Sequence, residues 1–217
     1  MSETIQFYVL IVVLTGAFSI GLYRFKIIDR AASLVILLLG LGILSESIGY
    51  YCSIKFHTDI LVYNCYGIIE FFIFCLYYNL IIGAFNKRKM GLYFGLFGVI
   101  GGVLNMAFLQ SPLRINTNFL YFEGFCITAM SLFAFYKFVL NNEELVVTHY
   151  PHFWFTSIFL FSWNISIINW GTYDSLRVKF PGIDAGLNFF IWLIDILSYL
   201  AIGIVFLFYP QMQAKDE

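Results

Sequence analysis

Charge is scarce in this chain of 217 residues: only 12% are Asp, Glu, Lys or Arg, against about 25% in an ordinary soluble domain. So few ionisable side chains cannot clothe a soluble fold of this size. Net charge is −1, which excludes the broad basic surface that attracts nucleic acid. Proline is scarce as well. Pro112, Pro151, Pro181 and Pro210 fall in expected loops or just beyond an apolar run, so no helix is expected to be broken by one. Cys52, Cys65, Cys75 and Cys126 make no Cys-x-x-Cys pair and no metal-type spacing. They read as free thiols that behave as small hydrophobes. His149 and His152, in the segment THYPHF, lack a third ligand and are expected at the membrane interface rather than around a metal. Neither metal nor cofactor is expected.

What the chain has instead is apolar mass, with 61% hydrophobic and 21% aromatic residues, gathered into long runs between short polar segments. A crossing of a hydrocarbon core about 30 Å thick needs about 20 mostly apolar residues. That criterion predicts helical spans near 5–23, 31–51, 60–83, 91–110, 118–139, 152–170 and 185–209. The expected fold is therefore all-α: one integral membrane bundle of about seven transmembrane helices occupying residues 1–217 as a single domain. The first run has no cation before it and Arg24, Lys26 and Arg30 after it, so it is expected to be a retained span and not a cleaved signal.

Cation placement predicts orientation. Arg24, Lys26, Arg30, Lys87, Arg88, Lys89, Lys137 and Lys215 flank one side, while Lys55, Arg114, Arg177 and Lys179 flank the other. Basic loops stay cytoplasmic, which puts the N-terminus outside and the C-terminus inside, in a multi-pass protein of the cytoplasmic (inner) membrane. Tyr50, Tyr51, Trp170 and Tyr209 lie where interfacial anchors are expected.

The chemistry-bearing residues are acids inside the spans. No Lys or Arg lies deep in any run, yet Glu46, Glu70, Glu123 and Asp195 do. An ionised carboxylate in hydrocarbon costs at least about 2.5–3.5 kcal/mol, so such groups normally face the bundle interior and mark a working place. At 100° per residue, Tyr63, Tyr66, Gly67 and Tyr77 share the face of Glu70, and Asn188, Trp192, Ser198 and Tyr199 that of Asp195. Gly42, Gly49 and Tyr50 lie beside Glu46, and Asn116, Cys126 and Met130 beside Glu123. With the N-terminus outside, all four acids fall in the outer half, as do Asn64, Asn164 and Asn188. The expected site is an acid-lined pocket of Glu46, Tyr63, Asn64, Tyr66, Glu70, Glu123, Asn164, Asn188, Trp192 and Asp195, closed toward the cytoplasm by apolar packing. Such carboxyls can also stand protonated and serve only as interhelical hydrogen-bond partners.

Gly91, Gly95, Gly98 and Gly102 form small-x-x-x-small pairs in the fourth span. They predict close helix packing within the bundle and leave a homodimer through that face open. No lysine stands in the last span to hold a retinal, and no nucleophile, base and oxyanion donor share one depth, so no enzyme is expected.

Asn64, Tyr66 and Glu70 in YNCYGIIEFF, with Pro151, Phe153, Trp154 and Phe155 in PHFWF, resemble a loose group of small, uncharacterised seven-helix proteins of Bacteroidota-like bacteria. These are similar to the membrane sensor regions of bacterial seven-transmembrane receptors. The resemblance implies a receptor-like bundle without an attached kinase. Two functions follow as expectations. One is a sensor whose outer pocket takes a small cationic or polar ligand and passes a helix shift to a cytoplasmic signalling partner. The other is a small-solute or proton-coupled carrier in which Glu70 and Asp195 exchange the ion. Unbroken spans and an apolar inner half favour the sensor.

Overall fold

The computed structural model describes residues 3–141, 149–179 and 184–213. Its elements are α1 (Glu3–Tyr23), α2 (Arg30–Phe56), α3 (Ile60–Ile81), α4 (Gly83–Arg88), α5 (Met90–Leu104), α6 (Thr117–Asn141), α7 (Pro151–Lys179) and α8 (Asp184–Gln213). A π turn, Asn105–Leu109, prolongs α5, and no strand occurs among the described residues.

Local chemistry sets several of these boundaries. Asp29 caps α2, its Oδ1 accepting from the Ala32 N–H at 2.7 Å. His57 ends α2 in the left-handed region, φ 57°. Pro151 opens α7 at the first helical position, where its missing N–H would have had no partner. Pro210, expected beyond the last span, lies inside α8. It stands in the final turn, where losing one backbone bond disturbs only the helix end.

Among the described residues six helices are long and apolar enough to cross a membrane: α1, α2, α3, α5 with its π turn, α6 and α8. The seventh expected span falls within α7. That helix is 29 residues long, but Ser162, Asn164, Ser166 and Asn169 dilute its apolar character. It nonetheless packs along both α6 and α8. Large apolar side chains cover the outside of the bundle: Val12, Leu44, Phe97, Phe125 and Ile204 are each more than half exposed. A soluble monomer rarely shows water so much apolar surface, and a multi-pass membrane protein shows it to lipid.

Successive packing of α1 on α2, α2 on α3, α3 on α6, α6 on α7, α7 on α8 and α8 on α1 closes a six-helix ring. Helix α5 stands outside it, against α3. Its glycine stripe explains the placement. Gly91, Gly95, Gly98 and Gly102 are buried while Tyr93, Phe97 and Ile100 are exposed. A Cβ at Gly98 would stand 2.0 Å from Phe71 Cε1, and one at Gly91 2.2 Å from the Cys75 carbonyl oxygen. The Gly91 N–H donates to Asn79 Oδ1 at 3.0 Å. The face that the sequence leaves open to a homodimer is thus filled by α3 of the same chain.

Candidate functional site

Inside the ring, α2, α3, α6 and α8 bring the four acids together. Glu46, Glu70 and Asp195 are half-buried, and Glu123 is 1% exposed. Asp195 lies within electrostatic range of both Glu46 and Glu70, and Glu70 within range of Glu123. Tyrosines from α3 hold two of the carboxyls: Tyr63 Oη donates to Glu46 Oε2 and Tyr66 Oη to Glu70 Oε1, both at 3.1 Å. Tyr199 of α8 is close enough to feel Asp195, Glu46 and Glu70. Gly67 of α3 lies beside Glu123, whose Oε2 would be in ordinary contact, 3.7 Å, with a Cβ at that position.

Glu123 is the unusual member. Its Oε1 is buried and has no hydrogen-bond partner among the described residues. A buried carboxyl oxygen left unpaired costs about 1–3 kcal/mol or more. Among the described residues no Lys or Arg lies within ion-pair distance of the four acids, and the only ion pair lies elsewhere. Chemically the cluster is a set of oxygen acceptors with tyrosine walls, suited to a proton or a small cation.

The remaining residues expected at this site have other partners. Asn64 Nδ2 donates to the carbonyls of Pro112 (3.2 Å) and Arg114 (2.9 Å), and its Oδ1 accepts from the Asn116 N–H at 3.0 Å. It therefore pins the loop between the π turn and α6. Asn164 Nδ2 donates to Thr128 Oγ1 at 3.1 Å and to the Leu160 carbonyl at 2.7 Å, tying α7 to α6. Trp192 Nε1 donates to the Gln6 carbonyl at 2.8 Å, tying α8 to α1. Asn188 is exposed. It shares the helix face of Asp195 but lies about 10 Å along the axis from it, near the start of α8.

A second polar centre, at the opposite end of the bundle, escaped the sequence reading. His152, expected at the interface, is 1% exposed. Its Nε2 lies 2.7 Å from Asp29 Oδ2, and its Nδ1 3.2 Å from Tyr77 Oη. The Asp29 backbone N–H donates to Tyr209 Oη at 3.4 Å. Partial burial by itself pushes the Asp29 carboxyl up. The hydrogen bond and charge of His152 oppose this, with the Ala32 N–H and the Tyr209 hydroxyl, and hold the carboxyl below its ordinary value. The expectation that the half of the bundle opposite the acids is wholly apolar is corrected here. Two local signals mark its members as helix-end groups, though neither pairs them. Pro151 places His152 in the first turn of a helix, and Asp29 before Arg-Ala-Ala is a helix cap.

Between the two centres lies an aromatic layer. Phe74 and Phe159 meet edge to face at 4.9 Å, and Phe155 packs on Phe206 at 5.1 Å. All four are nearly or fully buried. Comparison with protein-family models, with curated proteins and with solved structures returned no match.

Proposed function

We propose that the chain is a receptor-like multi-pass protein of the cytoplasmic membrane whose acid cluster binds a small cation. The observation that carries this reading is Glu123: a fully buried carboxyl in a cluster with three more acids, with no partner for one oxygen and no ion-paired base among the described residues. A cation bound there would satisfy Glu123 Oε1 and relieve the mutual repulsion of Glu70, Asp195 and Glu46. The tyrosine faces add attraction for an organic cation. In this reading α7 makes the seventh crossing, the N-terminus is outside and the C-terminus cytoplasmic. The Asn64–Glu70 and Pro151–Phe155 segments support the receptor-like assignment by their resemblance to small seven-helix sensors. The packed aromatic layer favours a sensor, since it separates the cluster from the far end of the bundle and leaves a helix shift as the output to a cytoplasmic partner.

The test is thermal unfolding of the purified chain in detergent with sodium, potassium, choline or spermidine. At least one should raise the unfolding temperature in a concentration-dependent manner, as a ligand of the native state must, and Glu123→Gln should abolish the rise. No response to any of them in the parent chain sinks the reading.

The Asp29–His152–Tyr77 centre supports a second reading, a proton-coupled carrier, because Tyr77 stands about two turns from Glu70 on the same face of α3. Purified protein in liposomes that moved protons or solute down an imposed gradient would establish the carrier and remove the sensor.

A further inference from the structure

The surface between α1 and α2 holds a groove of about 540 Å³ that belongs to neither polar centre. Phe18, Ile36 and Gly40 line it, and the exposed Phe25, Leu37 and Leu44 frame it. Gly40 sits beside Phe18, where a Cβ would already be 3.1 Å from Cε2 of that ring. From Ser33 to Leu44 the groove follows α2 for about 16 Å at 1.5 Å per residue. That is half of a hydrocarbon core about 30 Å thick, the depth of one leaflet.

The chemistry of its two ends differs. At the Leu44 end the lining is aliphatic. At the Phe25 and Ser33 end stands the turn carrying Arg24, Lys26 and Arg30, none of which has a carboxylate within ion-pair distance among the described residues. Asp29, the acid nearest in sequence, is engaged by His152. Arg24 lays its guanidinium 5.3 Å from the centre of the Tyr23 ring, and its Nε is buried without a hydrogen-bond partner among the described residues. Three uncompensated cations at the polar end of a one-leaflet apolar groove match one class of occupant.

We propose that this groove is a binding site for an anionic glycerophospholipid, with one acyl chain along α2 and the headgroup phosphate at Arg24 and Arg30. Each cation near a headgroup plane strengthens attachment to anionic lipid, and the groove supplies the shape that a bare cationic loop lacks. The proposal does not rest on the function of the acid cluster.

Native mass spectrometry of the full chain tests it, after equilibration with phosphatidylglycerol or phosphatidylcholine of identical acyl chains. The parent chain should retain phosphatidylglycerol preferentially. The double variant Arg24→Gln/Arg30→Gln should retain it roughly thirtyfold more weakly, the combined loss of two headgroup contacts. Gly40→Leu, which fills the groove and leaves the cations, should also lose it. Circular dichroism checks that both variants keep their helix content. If Gly40→Leu does not fold, the surface double variant decides. Equal retention of the two lipids overturns the proposal, as does undiminished phosphatidylglycerol binding by the double variant. Full displacement by soluble glycerol phosphate, or a second copy of the chain in place of lipid, overturns it as well.

Discussion

His152 Nε2 and Asp29 Oδ2 are 2.7 Å apart across 123 residues of chain, one group buried and the other 44% exposed. The pair joins the start of α7 to the cap of α2. Three helices serve both polar centres: α2 is capped by Asp29 and carries Glu46, α3 carries Glu70 and Tyr77, and α8 carries Asp195 and Tyr209.

The charge on Asp29 makes stability pH-dependent in a predictable direction. Because its folded-state carboxyl is held below the ordinary value, its contribution is complete above about pH 4 and disappears as pH falls through the lowered value. Asp29→Asn keeps an acceptor for the Ala32 N–H and removes the charge. It should melt below the parent at pH 7, and the gap should narrow as the solution is acidified below pH 4. Asp29→Ala should lose about 1 kcal/mol more at either pH, the worth of a helix cap.

Asn64 predicts a protease result. With Asn64→Ala the carbonyls of Pro112 and Arg114 and the Asn116 N–H lose their shared partner, at a cost of about 1–3 kcal/mol. Trypsin should then cleave the detergent-solubilised protein after Arg114 faster than it cleaves the parent. Unchanged cleavage would mean that the loop is held by something other than Asn64.

Two glycines of the same helix should respond oppositely to a methyl group. Gly98→Ala forces a Cβ into Phe71, whereas a Cβ at Gly101 meets nothing within 4 Å. Gly98→Ala should cost about 1–3 kcal/mol by overpacking. Gly101→Ala should be neutral or slightly stabilising, since a mid-helix glycine is about 1 kcal/mol worse than alanine. Thermal unfolding of the two variants side by side reads the difference.

In the acid cluster, Tyr66→Phe removes one hydrogen bond to Glu70 and should cost about 1 kcal/mol of stability. Glu70→Gln keeps an acceptor for Tyr66 and should fold as well as the parent, but lose part of any cation-dependent stabilisation. An unaltered cation response in Glu70→Gln would place the bound cation away from Glu70.

A reporter fused after Glu217 should be active on the cytoplasmic side, because eight of the twelve cations flank that side. Activity outside would reverse the orientation and place the acid cluster near the cytoplasm.

Apolar run length, by itself, determined that the chain is helical and embedded in a membrane. The starts of the expected spans fall within two residues of the helix starts at Glu3, Arg30, Ile60, Met90, Thr117, Pro151 and Asp184, because hydrocarbon demands unbroken apolar helices whatever their neighbours. Helical periodicity also placed Glu46, Glu70, Glu123 and Asp195 on faces that turn inward. What periodicity carries no information about is which helices become neighbours. The ring order, with α5 outside, was decided by close approaches such as Gly98 to Phe71. Tertiary structure alone diverted Asn64, Asn164 and Trp192 to tying elements together, since an amide or indole N–H satisfies whichever acceptor packing presents. The His152–Asp29 pair was beyond the reach of local pattern for the same reason. Each residue reads as an ordinary helix-end group, and only the closing of the ring brings the two together and buries the histidine.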